Sequence, residues 1–294
     1  MGMLDGKTVL VTGGGNGIGR ECALIAARQG ANVVVNDLGG SVTGSDPGSA
    51  GPAETVAAEI RKTGGKAVSN SDSVTDMKSV QGLITLAKDT FGDLHHIINP
   101  AGILRDAMFH KMEDADFRAV IDVHLHGSYN VTRAAINHFR EQQEGNFVLF
   151  TSTSGLIGNI GQSNYAAAKM GIVGLSRIIA MEGAQKNVRS NVIGPFAWTR
   201  MIGTIPVKDE ESARRVERMK NAMRADQVAN FAVGLCGAKD VSGQIFVVRG
   251  NEIFLMSQPR PLRGIGRLEG WTPETILSHA LPAMKADMYE MDNS

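Results

Sequence analysis

Short apolar runs alternate with longer amphipathic stretches along most of the chain, and this pattern predicts strands and helices in turn. The apolar runs lie at 8–11, 32–35, 67–69, 94–98, 146–150, 188–193 and 245–248. Runs of Val, Ile and Leu without polar alternation are typical of strands buried on both faces of a parallel sheet. The intervening stretches at 17–29, 55–62, 77–90, 117–140, 165–185 and 227–235 carry apolar residues at helical spacing.

Seven strands separated by helices predict an α/β fold, a doubly wound parallel seven-stranded sheet with helices on both faces. The alternation extends over residues 1–255, which we interpret as a single catalytic domain. Residues 256–294 break the pattern with a Pro-, Gly- and Arg-rich stretch and one short helix at 273–288. We expect this part to be a C-terminal extension packed on the same domain, and a disordered end is the alternative.

The composition excludes several classes of protein. Lys plus Arg and Asp plus Glu number 30 each, so no cationic surplus favours nucleic acid. The two cysteines, Cys22 and Cys236, form no zinc-ligand spacing, and no apolar run is long enough to cross a membrane. The first strand begins at residue 8, which leaves no room for a secretory signal, so we expect a cytoplasmic protein without metal.

A glycine-rich loop joins the first strand to the first helix. The sequence TGGGNGIG occupies 12–19, where glycines allow a tight turn and the helix N-terminus can hold a pyrophosphate. Asp37 ends the second strand 18 residues beyond Gly19, where a carboxylate accepts both ribose hydroxyls of NAD and repels a 2′-phosphate. Leu38 and Asn16 place no cation for NADP. The alternative is an aspartate that only starts the next loop.

Tyr165 and Lys169 are four residues apart on a predicted helix and therefore share one face. A lysine ammonium at close range lowers the pKa of a tyrosine toward a useful value for a base. Ser152 follows a predicted strand 13 residues before Tyr165. Strand ends of this kind face the ligand crevice of an open α/β sheet. The alternative for Tyr165 and Lys169 is an ordinary helix face with the lysine in solvent.

These motifs together resemble the short-chain dehydrogenase/reductase family over residues 5–250. The loop at 12–19 is similar to its TGxxxGxG motif, and Asn-Pro-Ala-Gly at 99–102 to its NNAG strand end. Ser152, Tyr165 and Lys169 match its serine and YxxxK pair, while Pro195 and Thr199 resemble its cofactor-closing segment. The stretches 33–40, 101–106, 123–127 and 158–162 resemble the (3R)-hydroxyacyl-CoA dehydrogenases of the peroxisomal D-specific multifunctional type and their bacterial stand-alone relatives.

The resemblance implies a Rossmann-like fold and a role for each matching residue. Ser152 would orient the substrate oxygen, Tyr165 would exchange its proton, and Lys169 would hold the nicotinamide ribose and lower the pKa of Tyr165. His124 stands at the position of the family's catalytic Asn, whose main-chain carbonyl supports a water-linked proton path. The dinucleotide would contact Gly13, Asn16, Gly17, Ile18, Gly19, Asp37, Asp72, Ser73, Asn99, Ala101, Gly102, Tyr165, Lys169, Pro195 and Thr199.

Three residues depart from the family pattern. The first is His124. The second is Pro100, which replaces the second Asn of NNAG and removes a backbone donor. The third is Arg249, which stands in place of the usual Asp after the last strand. Arg249 is either a surface residue or an interface contact. The pair His95 and His96 has no further ligands at metal spacing, so we interpret both as solvated loop histidines.

The expected function is hydride transfer between NAD and a secondary alcohol or ketone, most closely a 3-hydroxyacyl-CoA. A bulky alcohol such as a steroid or terpenoid is one alternative, and a non-catalytic partner subunit with the same fold is another. For a CoA thioester, Arg105, Arg200 and Lys208 are candidate cations for its phosphates, and 196–207 is a candidate apolar wall. The family's association through its two long helices implies a homotetramer, or else a homodimer, without nucleic acid or membrane.

Overall fold

The computed structural model of the 294-residue chain describes residues 2–197, 214, 216–217 and 223–289. The chain divides into two compact units, Met1–Met256 and Ser257–Ser294. The first unit contains one eight-stranded sheet in the order β3-β2-β1-β4-β5-β6-β7-β8. Its strands are β1 Thr8–Val11, β2 Asn32–Asn36, β3 Lys66–Asn70, β4 His96–Asn99, β5 Gly145–Phe150, β6 Val188–Phe196, β7 Ile245–Arg249 and β8 Glu252–Leu255.

Helices cover both faces of this sheet, which confirms the predicted doubly wound fold. They are α1 Gly17–Arg28, α2 Gly51–Lys62, α3 Met77–Phe91, α4 Asp114–Ile121, α5 Gly127–Gln142, α6 Thr153–Leu156, α7 Ser163–Gly183 and α8 Ala225–Gly237. Alternate strand residues point to opposite faces, so Val9 and Val11 join the core under α1, α2 and α8, whereas Leu10 joins the core under α3, α5 and α7. The strand order reverses beside β1, which creates the crevice where such folds bind ligands.

The prediction of seven strands omitted β8, which pairs antiparallel with β7. Arg249 pairs with Glu252 across a two-residue turn whose Gly250 has a φ of +55°, a conformation that suits glycine. The Arg249 side chain makes a 2.8 Å ion pair with Glu252 and lies over the Phe254 ring, so it stabilises this hairpin. The other seven strands lie where the apolar runs predicted them and are parallel to one another.

The helix predicted over 117–140 is divided by a π-helical turn. α4 ends at Ile121, five residues from Asp122 to His126 form the π turn, and α5 follows. A π turn inserts an extra residue into the helical register, and such turns are frequent at functional sites. This one carries His124 into the protein interior, where the side chain is only 2% exposed.

The second unit contains a series of helical turns over 273–287, where the sequence predicts one short helix. Thr272 caps the turn Pro273–Thr275, and Ile276–Ala280, Leu281–Met284 and Lys285–Asp287 continue it. A 2.6 Å ion pair joins Arg263 to Asp287 within the unit. Packing of this extension on the catalytic domain stays a prediction. Among the helices of the described residues, none has the length and apolar character to span a lipid bilayer.

Candidate active site

A cavity of about 1020 Å³ lies at the carboxyl ends of the parallel strands. It brings together most of the predicted site residues, namely Gly13, Asn16, Gly17, Ile18, Gly19, Asp37, Asp72, Ser73, Ala101, Gly102, His124, Ser152, Tyr165, Lys169 and Pro195. Asn99 is the exception among the described residues, because its side chain is buried and bonded within the protein. Thr199 lies outside the described residues.

The glycine-rich loop leaves no space for side chains at the positions where it turns. Gly13 has a φ of +56°, and a Cβ atom there would lie 2.9 Å from the Cα of Ala101. A Cβ on Gly19 would lie 2.0 Å from the carbonyl oxygen of Gly13. The loop therefore packs directly against the start of α1, where Gly17, Ile18 and Gly19 line the cavity. The first N–H groups of a helix have no partner within the helix. This bare backbone cradle fits the pyrophosphate of a dinucleotide.

Asp37 is held at the end of β2 by two backbone donors. The Gly15 N–H donates to Asp37 Oδ2 at 2.8 Å, and the Gly39 N–H donates to Oδ1 at 2.7 Å. These bonds orient the carboxylate at the cavity wall. A carboxylate has about four acceptor sites, so two remain for a pair of ribose hydroxyls. These free acceptor positions fit the ribose hydroxyls of a dinucleotide.

Ser152, Tyr165 and Lys169 also line this cavity. Ser152 caps α6, and its Oγ donates to Ser154 Oγ at 3.2 Å. Tyr165 lies in the first turn of α7. The Lys169 ammonium lies one helical turn further on, 5.4 Å from the centroid of the Tyr165 ring. Its Nζ donates to the carbonyl of Phe150 at 2.8 Å, and the residue is only 4% exposed. A serine hydroxyl, a phenol and an amine thus share one small volume.

The pKa relation between Tyr165 and Lys169 differs from the sequence-based expectation. Burial raises the pKa of Tyr165 to about 12, although the hydrogen bond from Ser152 acts in the opposite direction. Burial also lowers the pKa of Lys169 to about 7, so its ammonium charge is only partly present at neutral pH. The expectation that Lys169 lowers the tyrosine pKa is therefore wrong for the protein alone. Desolvation is the largest cause of both pKa shifts.

A chain of buried hydrogen bonds supports the main chain at His124. Thr12 Oγ1 donates to Asn99 Oδ1, and Asn99 Nδ2 donates to Ser128 Oγ at 3.0 Å. Ser128 Oγ then donates to the carbonyl of His124 at 2.6 Å. The Asn99 side chain therefore supports the main chain at His124 through Ser128 and does not line the cavity. The chain links β1, β4 and α5 and includes Ser128, which the sequence motifs did not indicate.

The His124 side chain fixes the segment that follows β4. Its Nε2 atom lies 3.1 Å from the N–H and 2.8 Å from the carbonyl of Ile103. Burial lowers the pKa of His124 well below its usual value, so the ring is neutral and Nε2 serves one of these partners at a time. A Cβ on Gly102 would lie 2.1 Å from the ring, so glycine is needed there. The ring also meets Tyr165 edge-on, with centroids 5.0 Å apart.

Arg105 is bound within the protein and is not a free rim cation. Its Nε and one terminal nitrogen donate to the carbonyls of Thr43 and Gly44 at 2.8 and 3.3 Å, and the other terminal nitrogen pairs with Asp116 at 3.0 Å. The backbone carbonyl of Arg105 accepts from Asn164, next to Tyr165. Arg105 thus links the loop at 37–50 to the start of the catalytic helix. Arg200, Lys208 and most of the wall at 196–207 lie outside the described residues.

We expect Arg105→Ala to raise the KM for the nicotinamide cofactor several-fold with a smaller change in kcat. The loop that Arg105 holds includes the cavity residues Gly40, Ser41 and Val42, which follow Asp37. Steady-state kinetics and limited proteolysis of this loop measure the effect. The control is Arg118→Ala, since Arg118 forms a solvent-exposed pair with Asp114 and such pairs contribute little. Equal cofactor KM values in Arg105→Ala and the control would contradict the linking role.

The adjacent histidines His95 and His96 are not both solvated. His95 Nδ1 accepts from the Thr8 N–H at 3.1 Å, whereas His96 is buried in β4 at 3% exposure. Burial lowers the pKa of His96 to about 3, which keeps the ring neutral. Within the described part of the chain, no group of three or more His, Cys, Asp or Glu side chains could hold a metal ion.

The fold and this site together define a nicotinamide-dependent oxidoreductase of CH–OH groups. The family model of the short chain dehydrogenases matches residues 7–206, and the chain belongs to this family. The multifunctional enzyme type 2 of mouse peroxisomes is 42% identical over 275 residues, which are 92% of this chain and 36% of that protein. A hydroxyacyl-CoA dehydrogenase of Mycobacterium tuberculosis is 34% identical over 265 residues, which are 87% of this chain and 81% of that protein.

Solved structures agree with this assignment. A short chain dehydrogenase from Mycobacterium avium superposes with a TM-score of 0.85 at 35% identity, covering 99% of this chain and 98% of its own. A 7α-hydroxysteroid dehydrogenase, determined with NADH and a 7-oxo bile acid, superposes with a TM-score of 0.74 at 28% identity. That alignment covers 84% of this chain and 94% of the steroid enzyme.

Proposed function

We propose that this protein is an NAD-dependent 3-hydroxyacyl-CoA dehydrogenase with preference for the 3R enantiomer. The observation that carries the proposal is that Ser152, Tyr165 and Lys169 line the same cavity as Gly13 and residues 17–19 of the glycine-rich loop. A bound nicotinamide would accept or donate the hydride. Ser152 would hold the substrate oxygen, and Tyr165 would exchange a proton with it. Lys169 would hold the ribose.

The substrate class rests on the relatives and on the extended resemblance through the middle of the chain. Both the mouse multifunctional enzyme and the mycobacterial hydroxyacyl-CoA dehydrogenase cover most of this chain. The stretches 101–106 and 158–162, which carry the resemblance, lie at the cavity through Ala101–Asp106, Asn159 and Gln162. The segment that confers the resemblance is thus the segment that a substrate would contact. A steroid alcohol is the second candidate, because the hydroxysteroid enzyme shares the fold.

An initial-rate screen distinguishes these substrates. The purified protein is given NAD and, in parallel, the two enantiomers of 3-hydroxyacyl-CoA, a set of hydroxysteroids and small secondary alcohols. We expect reduction of NAD with the 3R thioester and much slower reaction with the 3S form. Efficient oxidation of free alcohols with no reaction of any 3-hydroxyacyl-CoA would overturn the thioester assignment.

The preference for NAD over NADP is argued from Asp37. Its two oxygens are fixed by the Gly15 and Gly39 N–H groups, so the carboxylate stays where a 2′-phosphate would lie. Leu38, which follows, is 41% exposed and uncharged. We expect kcat/KM to be at least tenfold higher for NAD, and Asp37→Ala to erode this preference chiefly by weakening NAD. An NADP value equal to or above that for NAD in the unaltered protein would refute the proposal.

We propose that the protein assembles as a homotetramer through α5 and α7. Exposed apolar side chains lie along these helices at Tyr129, Met170, Ile178 and Met181, the last 67% exposed. Gly174 faces open space on α7, which permits close helix packing. Multi-angle light scattering at micromolar protein is expected to give four times the 31.3 kDa chain mass. A species of one chain mass would contradict association of any kind.

We also propose a reducing, cytoplasmic location. Cys22 and Cys236 are both free thiols buried in the core between α1 and α8. Burial raises the pKa of the Cys236 thiol to about 12, which keeps it protonated and unreactive.

A further inference from the structure

Asn164 is a buried asparagine that immediately precedes Tyr165. It is the second residue of α7, it is fully buried, and its side chain does not line the cavity. The sequence motifs of the site do not include it. Because burying an amide costs free energy unless its polar atoms are bonded, the partners of Asn164 indicate what this side chain does.

The oxygen of the Asn164 side chain caps the start of α7. The first N–H groups of a helix have no partner within the helix, and the Tyr165 N–H is one of them. Gln162 is at the N-cap position, but its side chain makes no capping bond. Asn164 Oδ1 instead accepts a hydrogen bond from the Tyr165 N–H at 2.7 Å. The amide therefore holds the backbone of the tyrosine itself.

The nitrogen of the same amide joins this turn to two other parts of the domain. Asn164 Nδ2 donates to the backbone carbonyl of Arg105 at 2.8 Å and to that of Asp116 in α4 at 3.4 Å. The Arg105 and Asp116 side chains form an ion pair at 3.0 Å, so these two parts are also bound to each other. The segment after β4, helix α4 and the first turn of α7 thus meet at one amide.

A neutral amide suits this position better than other groups of its size. One side of the Asn164 side chain faces an N–H donor and the other faces carbonyl acceptors, so the group must accept and donate at the same time. An ionised aspartate has the same size but cannot donate, and alanine can do neither. Substitution with either residue therefore breaks a defined set of bonds.

We propose that Asn164 is a positioning residue for Tyr165, which holds the first turn of α7 so that the phenol hydroxyl stays within reach of the substrate oxygen. This rests on the proposed function, in which Tyr165 exchanges a proton with that oxygen. The hydroxyl is at the far end of the side chain, so a small rotation of the turn displaces it by about 1 Å, and such a misplacement costs on the order of 10²-fold in rate. The edge contact with His124 supports the ring, whereas Asn164 supports the backbone that carries it.

The first test compares Asn164→Ala with a matched control, Asn191→Ala. Asn191 in β6 is also fully buried, donates to the carbonyl of Val241 at 2.9 Å and accepts from the Gln244 N–H at 3.0 Å. We expect both variants to lower the thermal unfolding temperature, since each loses two bonds of a buried amide. Only Asn164→Ala is expected to lower kcat, by about tenfold to a hundredfold, with the KM for NAD within about twofold.

The second test repeats Asn164→Ala in the Tyr165→Phe background. A residue that acts through the phenol hydroxyl loses its effect on the rate when the hydroxyl is absent. We therefore expect Asn164→Ala to lower the residual kcat of Tyr165→Phe by less than about twofold. A general loss of packing around the cavity would instead lower the rate by the same factor in both backgrounds.

The third test uses Asn164→Asp, which keeps the size of the side chain. A protonated carboxyl offers an O–H to the Arg105 carbonyl and an oxygen to the Tyr165 N–H, whereas the carboxylate has no donor. The rate of ketone reduction with NADH, relative to the unaltered protein, is expected to be near one in mild acid. It is expected to fall about tenfold as the carboxyl ionises at higher pH. This variant also carries the test if Asn164→Ala does not fold.

Three results would overturn the positioning role. They are equal kcat values in Asn164→Ala and Asn191→Ala, a full further loss in the Tyr165→Phe background, and a relative rate of Asn164→Asp that does not change with pH. The substrate is the alcohol that the unaltered protein oxidises fastest in the screen described above, so an error in the thioester assignment leaves these comparisons intact. Failure of the proposed function is seen separately, as a lack of turnover of 3-hydroxyacyl-CoA by the unaltered protein.

Discussion

We expect Tyr165→Phe to lower kcat by a factor on the order of 10² or more while NADH binding is retained. The substitution removes only the phenol oxygen, the atom that we propose exchanges the substrate proton. General acid–base groups contribute about 10²–10⁴ to the rate. The ring, which packs edge-on against His124, is kept, so the cavity and the cofactor cradle stay intact. Steady-state kinetics and fluorescence titration with NADH measure the two effects.

The pH dependence of the reaction gives the same residue a second signature. Burial raises the pKa of Tyr165 to about 12, so at neutral pH the phenol is protonated and ready to donate in the reduction direction. Oxidation needs the phenolate. At pH values below that pKa, the phenolate fraction increases tenfold for each unit by which the pH is raised. The oxidation rate is therefore expected to rise with pH through the alkaline range, and the reduction rate to stay nearly constant until the pH approaches that pKa. Near-normal kcat in Tyr165→Phe, or an unchanged pH profile, would contradict the catalytic role of Tyr165.

The second large effect is expected from Gly19→Ala in the cofactor cradle. The added Cβ would lie 2.0 Å from the carbonyl oxygen of Gly13, and both atoms belong to or adjoin the backbone. The loop must move away from α1, and overpacking of this kind costs about 1–3 kcal/mol. We expect NADH binding to weaken by roughly tenfold to a hundredfold. Isothermal calorimetry with NADH measures the change directly.

Gly82 provides the matched control for this substitution. It is a helical glycine of α3 on the exposed surface, and a Cβ there would meet nothing within 4 Å. Gly82→Ala is expected to raise the free energy of unfolding by about 0.5–1 kcal/mol, as alanine favours a helix, and to leave NADH binding unchanged. Equal NADH affinity in Gly19→Ala and Gly82→Ala would show that the loop does not hold the cofactor as described.

The sequence predicted those parts of the fold in which a local pattern of apolar residues corresponds to a single type of element, such as a buried strand. Strands such as β1 and β4 are buried on both faces, so their apolar runs are continuous and bounded by turns. β8 carries only the short apolar run 253–255 and is exposed along its whole length. The Gly250-Asn251 pair before it is the signal that could have indicated a hairpin. The π turn at 122–126 has no distinctive composition and depends on how the segment packs.

In the candidate site too, some features follow from local sequence motifs and others depend on how the whole chain packs. Motif residues such as Gly13, Asp37 and Tyr165 converge because each lies at the carboxyl end of a strand or the start of a helix. Burial decides the rest, and burial depends on the whole fold. Arg105 is a candidate cation for CoA phosphates from the sequence, but its side chain donates to the carbonyls of Thr43 and Gly44, about 60 residues earlier in the chain. The pKa values of Tyr165 and Lys169 likewise follow from desolvation, which spacing along a helix does not determine.

Transfer of an isotope label tests the central claim most directly. The unaltered protein is incubated with NAD and (3R)-3-hydroxyacyl-CoA that carries deuterium on carbon 3, and the NADH formed is analysed by mass spectrometry. Hydride transfer at the site of Ser152 and Tyr165 predicts one deuterium in each NADH and a 3-oxoacyl-CoA product. Unlabelled NADH, or no NADH while the protein still binds the cofactor, would contradict the account.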